Sequence, residues 1–553
     1  MEWQEGAAKM KTIIMLCILL VAAVNINSQV SQEWEQRYNG SGNGVDVAKS
    51  MAVDASGNVY VTGYSTGNGT SKDYVTIKYN STGVQQWVRI YNGPVNGADE
   101  AHSIAVDANG NVYVAGYSLG NGTGVDYLTI KYNSTGVPLW VQRYSGPGNV
   151  PDEAYSIAVD ALSNVYVTGY STDNGTGDYV TIKYNSSGTQ QWAQRYNGTG
   201  NNIDLAKSIA VDAAGNVYVT GHSMGSGTDE DYATIKYNSA GNIQWIQRYN
   251  GPGNNLDRAH TIAVDAAGNV YVNGYSSGNG TSVDYATIKY NSTGVQQWIQ
   301  RYNGPLGNGS DVANAMAIDA AGNVYVTGYS QESGNLNDLD YLTIKYSSAG
   351  VQQWVQRYHA LSTGSSVATS IAVDISGNVY ITGGSEGLIT GRDYATIKYN
   401  STGVQQWIKR YNGPSNGIDG ANSLAIDASG NVYVTGVSAG LGTNNDYLTI
   451  KYSQTVGVSN VNSEIPSEFS LGQNYPNPFN PMTNIGLRIA DFGFVSLKIY
   501  DAAGKEVAVI INQELNAGVY NVDFDASNLS SGTYFYRMET AGFSDVKKMI
   551  VVK

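Results

Sequence analysis

One unit of about 53 residues recurs eight times along the chain, and this repetition limits the possible folds more than any other feature of the sequence. Each copy contains an aspartate followed four residues later by Asn-Val-Tyr. Successive aspartates are 53, 53, 52, 53, 54, 55 and 53 residues apart. A near-constant period with strand-like content is typical of propeller blades or of a β-solenoid, in which each unit buries its apolar faces against its neighbours. The eight aspartates are Asp54, Asp107, Asp160, Asp212, Asp265, Asp319, Asp374 and Asp427.

Each copy contains four segments with strand character, which in the second copy span 103–107, 111–118, 126–132 and 138–144. Asp-x-x-Gly joins the first segment to the second and Asn-x-x-Gly joins the third to the fourth, and both patterns suit type I turns closed by a bulge. The first two segments are nearly continuous apolar runs, whereas the outer two alternate polar and apolar residues. Because polarity rises from the first strand to the fourth, we predict radial four-stranded blades rather than a two-layer sandwich.

The two ends of the repeat region complement each other. Trp34 lies in a fourth-strand sequence with no first three strands before it, and the last copy stops after its third strand at Tyr452. Pairing of these ends within one blade would remove an exposed sheet edge. We therefore predict an all-β, eight-bladed propeller whose N-terminal strand closes the last blade. Its fourth-strand tryptophans are Trp34, Trp87, Trp140, Trp192, Trp245, Trp298, Trp354 and Trp407.

Composition and the N-terminal segment limit the partners and the location. A net charge of −14 gives the surface the wrong sign for nucleic acid or anionic lipid headgroups. Residues 10–28 resemble a secretory signal peptide, with one lysine before a short apolar run, and either Met1 or Met10 could be the start. Cys17 is the only cysteine and lies in that run, so a chain without the signal has neither disulfides nor a transmembrane helix.

The repeat resembles a known family. Residues 53–65 (VDASGNVYVTGYS) and 73–83 (DYVTIKYNSTG), followed by a tryptophan, are similar to the SBBP type of bacterial β-propeller repeat, and the similarity covers roughly residues 34–452. The resemblance implies a propeller in an extracytoplasmic setting. That family has no common biochemical activity to transfer.

The C-terminal region differs from the repeats in composition and period. Alternating runs and an Asp-x-x-Gly turn at 501–504 predict a small Ig-like β-sandwich. The sequence NYPNPFNP, the Gly532–Tyr534 segment and the terminal KKMIVVK resemble the type A C-terminal sorting domain of the type IX secretion system. In the other interpretation, the prolines stiffen a linker before an ordinary Ig-like domain. The matching motif residues are Asn474, Tyr475, Pro476, Asn477, Pro478, Phe479, Asn480 and Pro481.

These features give a domain plan: a signal peptide at 1–28, the propeller at 29–453, a linker at 454–466 and the sorting sandwich at 467–553. The resemblance of the tail implies the type IX secretion machinery as a partner. It also implies a secreted or outer-membrane surface location in a Gram-negative, Bacteroidetes-like bacterium, with the tail often removed during export.

Three patterns suggest catalysis or metal binding, and each has a structural interpretation. Gly-x-Ser-x-Gly occurs in six copies, but a nucleophile elbow needs a helix after the serine, and here another strand follows. The histidines lie on different blades without a Cys or Glu-rich cluster. Ala52-Val53-Asp54 matches the start of a quinoprotein docking motif whose Gly-x-x-x-Trp ending is absent. We expect no catalytic residue, no cofactor and no metal site. The histidines are His102, His222, His260 and His359.

Aspartates also recur in the loop before the first strand of seven copies, and Ser366 takes that place in the remaining copy. Residues shared by nearly all copies suit a role in the fold, such as accepting backbone amides in a turn, with weak calcium binding as the alternative. The Asp and Lys of each third strand have the same interpretation. The loop aspartates are Asp46, Asp99, Asp152, Asp204, Asp257, Asp311 and Asp419.

A ligand site is expected on the face with the longer loops, where the residue before the first-strand serine varies between copies. The leading hypothesis is a secreted or surface-displayed scaffold that binds a polysaccharide or a protein. The alternatives are an extracellular polysaccharide hydrolase or lyase and a purely structural surface component. The loops at 331–339 and 386–392, interpreted as insertions, are secondary candidates. The variable residues are Lys49, His102, Tyr155, Lys207, His260, Asn314, Thr369 and Asn422.

Overall fold

The structure is a computed structural model that describes residues 30–553 except 149, 174, 336, 361–363, 455–457, 463–465 and 527–528. The signal-peptide segment 1–28 lies outside the described residues. Within them every regular element is a β-strand, and no helix is long and apolar enough to cross a membrane. Residues Gln32–Ser453 form one compact unit, and Gln454–Lys553 belong to a second.

Eight four-stranded sheets form the first unit. The first strands are β2 (Asp46–Val53), β6 (Asp99–Val106), β10 (Asp152–Val159), β14 (Asp204–Val211), β18 (Asp257–Val264), β22 (Asp311–Ile318), β26 (Ser366–Val373) and β30 (Asp419–Ile426). The second strands are β3 (Val59–Thr66), β7 (Val112–Gly120), β11 (Val165–Asp173), β15 (Val217–Met224), β19 (Val270–Ser277), β23 (Val324–Gln331), β27 (Val379–Glu386) and β31 (Val432–Ala439).

The outer half of each sheet contains the third and fourth strands. The third strands are β4 (Lys72–Tyr79), β8 (Gly124–Tyr132), β12 (Thr176–Tyr184), β16 (Glu230–Tyr237), β20 (Val283–Tyr290), β24 (Leu339–Tyr346), β28 (Arg392–Tyr399) and β32 (Asn445–Gln454). The fourth strands are β5 (Gln85–Tyr91), β9 (Pro138–Tyr144), β13 (Gln190–Tyr196), β17 (Ile243–Tyr249), β21 (Gln296–Tyr302), β25 (Gln352–Tyr358), β29 (Gln405–Tyr411) and β1 (Val30–Tyr38).

The sheets close into a ring. Each first strand contacts the first strands of both neighbouring blades, and β30 of blade 8 contacts β2 of blade 1. In blade 8 the sheet order is β1-β32-β31-β30, so the N-terminal strand supplies the fourth strand. The predicted eight-bladed propeller and its closure are confirmed. We call the ring of eight first strands the hub.

Buried tyrosines join every blade to the next. The hydroxyl of Tyr74, on the third strand of blade 1, donates to the carbonyl oxygen of Leu128 in blade 2. Equivalent bonds of 3.0–3.4 Å follow around the ring, and Tyr447 closes it by donating to Val75 of blade 1. A buried hydroxyl without a partner would cost about 1–3 kcal/mol, so these bonds stabilise the interfaces between blades.

Among the described residues, seven of the eight fourth-strand tryptophans, all except Trp407, pack against a glycine of the following blade. Trp87 donates from its indole nitrogen to the carbonyl oxygen of Ser134, and its ring covers Gly136. Gly136 has a φ of +81°, and a Cβ there would lie 2.7 Å from the Trp87 ring. The Asn-x-x-Gly turn therefore needs glycine both for its backbone conformation and for the close approach of the indole.

Both kinds of predicted turn are present. In the first-to-second-strand hairpin the Gly57 amide donates to the Asp54 carbonyl oxygen, and Gly57 has a φ of +74°. The Asp54 carboxylate accepts from the amides of Ser56 and Asn58 and from the Tyr60 hydroxyl. The Tyr-to-Asp bond recurs in all eight copies, which explains why the repeat keeps this aspartate.

The aspartates assigned to the loop before the first strand are the first residues of those strands, since each is paired with a second-strand residue, as Asp46 is with Ser65. Asp46 is fully buried and accepts from the amides of Gly40 and Thr66. The third-strand lysines also have roles in the fold, since Lys78 donates to the carbonyl oxygen of Ser134 in the next blade. The location of the aspartates in a loop was wrong, and the role proposed for them agrees with these bonds.

The C-terminal unit contains two four-stranded sheets around one apolar core, as expected for the predicted β-sandwich. Two residues of the NYPNPFNP motif belong to this core region. Phe479 is buried, and the Asn474 side chain donates to the Thr483 hydroxyl. Tyr475 is 81% exposed. The strands are β33 (Val458–Asn462), β34 (Ser470–Leu471), β35 (Met482–Ile489) and β38 (Gly518–Asp525) in one sheet, and β36 (Gly493–Asp501), β37 (Glu506–Leu515), β39 (Gly532–Glu539) and β40 (Ser544–Val551) in the other.

Candidate functional site

The variable first-strand residues all lie at a bulge in the hub. The ladder between the first and second strands skips one residue in every blade, as at Lys49 between Ala48 and Ser50. Skipped residues leave the regular pleat, so their side chains can reach the neighbouring blade. The same irregularity recurs at the other seven positions.

Five of these side chains contact the backbone of the following blade. Nδ1 of His102 lies 3.0 Å from the carbonyl oxygen of Ala154. The side-chain amide of Asn314 donates to the carbonyl oxygen of Ala368. These contacts give the variable positions a structural duty that the sequence analysis did not anticipate. The complete set is His102 to Ala154, His260 to Ala313, Asn314 to Ala368, Thr369 to Ala421 and Asn422 to Ala48.

The remaining three variable residues contact aromatic rings. Lys49 lies over the Tyr64 ring at 5.7 Å, and Lys207 lies over the Tyr155 ring at 4.4 Å. Tyr155 donates its hydroxyl hydrogen to Glu153 at 2.8 Å. Cations over aromatic faces contribute about 0.5–2 kcal/mol each. In blades 1, 3 and 4 the variable side chain therefore contacts an aromatic ring, whereas in the other five blades it contacts the backbone of the following blade.

A cluster that we call the aromatic sector lies on the first and second strands of blades 2 to 4, at the hub. The rings of His102 and Tyr155 are parallel within 4° at a centroid distance of 5.3 Å, and Tyr117 meets His102 edge-on at 5.5 Å. Tyr170 also stacks on Tyr155, at a centroid distance of 6.1 Å and an angle of 23° between the rings. Every member is partly exposed. The aromatic sector consists of His102, Tyr117, Tyr155, Tyr170 and Lys207.

Carboxylates lie beside these rings. Lys72 of blade 1 donates to Glu100 at 2.5 Å, and His102 is 3.9 Å from the other oxygen of Glu100. Although burial opposes it, hydrogen bonds from His102 and Lys72 lower the pKa of Glu100 to about 2, so this carboxylate is charged at neutral pH. Burial and the adjacent Glu153 raise the pKa of Tyr155, which keeps its hydroxyl protonated.

A second charged group follows in blades 4 and 5. Arg258 forms an ion pair with Glu230, and Nε2 of His222 lies 4.0 Å from the same carboxylate. Burial lowers the pKa of His222 to about 3 and that of His260 to about 4, and the nearby Arg258 contributes to both shifts. Both imidazoles are therefore neutral at physiological pH.

These depressed pKa values predict an acid-sensitive hub. A histidine with a folded pKa below its unfolded value of about 6.5 takes up a proton only on unfolding between the two, so stability falls as the pH drops through that window. The substitution His222→Tyr introduces the residue found at this register in five other blades. We expect the wild type to lose on the order of 2 kcal/mol relative to this variant between pH 7 and pH 5. Urea unfolding of both proteins at each pH measures the difference, and a difference that does not change with pH would contradict the prediction.

The polar residues are unevenly distributed around the hub. At the second-strand position next to the hub, six blades have an aromatic side chain or histidine, whereas blade 7 has Gly384 and blade 8 has Val437. The first-strand partners of these two residues, Val367 and Gly420, are also uncharged. The six other residues are Tyr64, Tyr117, Tyr170, His222, Tyr275 and Tyr329.

Sequence reasoning identified part of this site and missed the rest. It found His102, Tyr155 and Lys207, and the structure brings them together, while the other variable positions lie elsewhere around the hub. It missed Glu100 and Glu153, which follow the first-strand aspartate. That position also varies between copies, so the same comparison of repeats would have revealed them.

The other candidates have simpler explanations. Ser118 of the Gly-x-Ser-x-Gly pattern is fully buried within β7 and accepts from Arg143. A groove between blades 1 and 2 on the short-turn face is lined by Asp54 and Lys78, whose polar atoms already form the bonds described above. The loop at 386–392 has the same length as the corresponding loop at 66–72, so its interpretation as an insertion was wrong.

Comparison with known proteins agrees with this architecture. The SBBP beta-propeller repeat matches at 33–69, 86–122, 139–175, 191–227, 244–280, 297–336, 353–389 and 406–442. The secretion system C-terminal sorting domain matches residues 473–552. The chain is thus a repeat-built β-propeller with a secretion tail. Because the repeat matches cover more than half of its length, it belongs to the SBBP beta-propeller repeat family.

More distant relatives share less. An uncharacterized WD repeat-containing protein of Acanthamoeba polyphaga mimivirus is 22% identical over 61% of this chain. The match spans only 29% of the length of that relative. Among solved structures, PorZ, a surface component of the type IX secretion system of Porphyromonas gingivalis, is 15% identical with a TM-score of 0.30 and covers 91% of this chain and 74% of its own. The polysaccharide lyase Uly1 is 14% identical with a TM-score of 0.41, over 66% of this chain and 92% of its own.

Proposed function

We propose that this protein is a binding module that works outside the cell and that its ligand, an extracellular polysaccharide, contacts the aromatic sector of the hub. The sorting tail supports the location, since it indicates secretion and cell-surface attachment. Type IX export of a mature chain, after removal of the signal peptide, is part of the same proposal. The binding role follows from the side chains in blades 2 to 4.

The uneven distribution of these side chains is the observation on which the binding role depends. At the first- and second-strand registers where blades 1 to 5 hold tyrosines, histidines and charged residues, blades 7 and 8 form the same fold with glycine, valine and small polar residues. The third strand of blade 7 begins with Arg392, at the register of Lys72 and Glu230. Partly buried charges cost desolvation energy and contribute little to stability. Since blades 7 and 8 fold without these aromatic and charged side chains, the fold does not require them. A ligand that contacts them would explain their presence.

The chemistry of the aromatic sector suits sugars. The partly exposed rings of Tyr117 and Tyr170 offer apolar surface to sugar rings, and the neighbouring Lys72, Glu100 and Lys207 can donate to or accept from hydroxyl groups. Pockets that combine aromatic walls with a few polar groups are typical ligand sites. The lysines also provide positive charge for a uronate or sulfate group on an acidic polysaccharide.

A binding experiment tests this proposal. We expect a glycan array to identify a polysaccharide, and calorimetry to give an affinity at least about tenfold weaker for Tyr117→Val and Tyr170→Val. Each variant gives its blade the residue that blade 8 has at the same register. The matched control, Val437→Ala, changes that register in blade 8 and should leave the affinity unchanged. Equal affinities for all four proteins, or no glycan bound by the wild type, would contradict the proposal.

A polysaccharide lyase is the second candidate, and the stacked pair of His102 and Tyr155 with Lys207 above the tyrosine ring favours it. Such groups could transfer protons beside a bound uronate. The raised pKa of Tyr155 argues against it, because a tyrosine that stays protonated is a poor base. Turnover of a polysaccharide, measured by release of reducing sugar and abolished by Tyr155→Phe, would replace the binding proposal with this one.

A further inference from the structure

Blade 6 departs from the other blades at the start of its third strand. In blade 5 the Oδ2 atom of Asp284 accepts from the hydroxyl of Thr281 at 3.3 Å and from Arg301 at 2.7 Å. Blades 2, 4, 7 and 8 repeat both interactions with their own threonine and arginine. In these five blades a hydroxyl donates to the buried aspartate and a guanidinium balances its charge, whereas Asp73 of blade 1 has the hydroxyl of Thr70 alone among the contacts described.

In blade 6 neither group contacts the aspartate. The loop between β23 and β24 is two residues longer, and Glu332 occupies the register of the glycine found there in most copies. Arg357 forms an ion pair with Glu332 at 3.3 Å instead of pairing with Asp340. His359 follows the fourth strand at a place where six of the other seven copies have asparagine.

These substitutions bring three metal-binding side chains together. Nδ1 of His359 lies 2.9 Å from Oδ2 of Asp340 and 3.6 Å from Oε2 of Glu332. One ligand atom of each residue lies within 4.8 Å of the other two. Asp340 is 2% exposed, and within the described residues no donor other than the His359 imidazole lies against its Oδ2.

We propose that Glu332, Asp340 and His359 bind a divalent transition-metal ion such as Zn²⁺ or Mn²⁺. Metal bonds of about 2.1 Å separate neighbouring ligand atoms by about 3.0–3.4 Å, close to the two distances from His359. An imidazole with two carboxylates favours such ions over Ca²⁺, which takes oxygen ligands. The ion supplies the positive charge that an arginine supplies in six of the other seven blades.

The surroundings suit this role. Arg357 binds Oε1 of Glu332, which orients the carboxylate and leaves Oε2 directed at the cluster. The His359 side chain is 62% exposed, so an ion can enter from solvent and keep water or another ligand at its open positions. The competing explanation is a simple ion pair between protonated His359 and Asp340, which needs neither Glu332 nor a metal.

Calorimetry on the purified full chain, stripped with a chelator, distinguishes the two explanations. We expect Zn²⁺ or Mn²⁺ to bind at one ion per chain, more tightly than Ca²⁺. His359→Asn should weaken this binding at least tenfold, and Glu332→Gln should also weaken it. His359→Asn introduces the residue of the other copies at an exposed position, so we expect it to fold normally, as an unchanged unfolding midpoint without metal would verify. Anomalous diffraction at the zinc edge should locate the ion beside His359.

Three results would overturn the proposal. They are the absence of saturable Zn²⁺ or Mn²⁺ binding to the wild type, undiminished binding by His359→Asn, and an anomalous peak at another histidine. The matched control, His260→Asn, removes a histidine of the hub outside the aromatic sector, introduces the residue that blades 6 and 8 have at this position, and should retain the full affinity. None of these results depends on whether the aromatic sector binds a polysaccharide.

Discussion

Deletion of β1 (Val30–Tyr38) should cause the propeller to lose its cooperative folding, or lower its melting temperature by more than 10 °C, roughly the effect of several kcal/mol. The strand completes blade 8, where Arg37 donates to the carbonyl oxygen and the hydroxyl of Ser438 and forms an ion pair with Asp446. It also covers blade 1, because the Trp34 ring packs on Gly83 and its indole nitrogen donates to Ser81. Its removal would expose a sheet edge and open the ring.

Two measurements make this prediction specific. Circular dichroism and calorimetric melting compare the deletion variant with the wild type, and adding a peptide of residues 30–40 should restore part of the lost stability. The control is Gln32→Ala, because the Gln32 side chain is exposed and bonds only to Glu35 of the same strand among the described contacts. An unchanged melting curve after the deletion would show that the strand does not hold the ring together.

Truncation after Ser453 should retain the protein in the periplasm while leaving the propeller folded. Residues Gln32–Ser453 form a compact unit with their own packed interfaces, so removal of the tail does not take away any blade strand except the last residue of β32. The tail contains the sorting domain at 473–552. We expect the amount that reaches the medium or the cell surface to fall at least tenfold.

Fractionation and surface proteolysis in a host with a type IX system measure that loss. The reciprocal experiment fuses Gln454–Lys553 to a periplasmic reporter protein, which should then leave the periplasm. Phe479→Ala offers a graded test, since deletion of a buried aromatic side chain costs about 3–5 kcal/mol and should unfold the small sandwich. Equal surface display of the truncated and full chains would contradict the assignment of this tail as a sorting signal.

Sequence alone could predict the ring because its evidence is periodic. The spacing of the aspartates and tryptophans gave the number of blades, and the unmatched Trp34 and Tyr452 gave the closure. The roles of individual hub residues could not be predicted in the same way. Nothing in the pattern indicates that the ladder is irregular at both His102 and Ala154 and that the His102 imidazole lies against the carbonyl oxygen of Ala154.

The blade 6 cluster shows a second limit. Glu332, Asp340 and His359 are separated along the chain, and only the hairpin register of β24 with β25 brings the last two together. Sequence analysis compared the histidines with one another across the hub and so expected no metal site. A comparison of each copy with its own consensus would have shown Glu for Gly and His for Asn in the same blade.

The closure of blade 8 by β1 has a topological consequence. In blade 8 the third strand, β32, and the fourth strand, β1, are not joined by a turn. Every other blade has a five-residue turn at this place, such as Asn80–Val84. A circular permutant that joins β32 to β1 through such a turn, and is cut at the equivalent turn of another blade, would keep every strand pairing and every tyrosine bond. The position of the chain ends is therefore interchangeable around the eightfold ring.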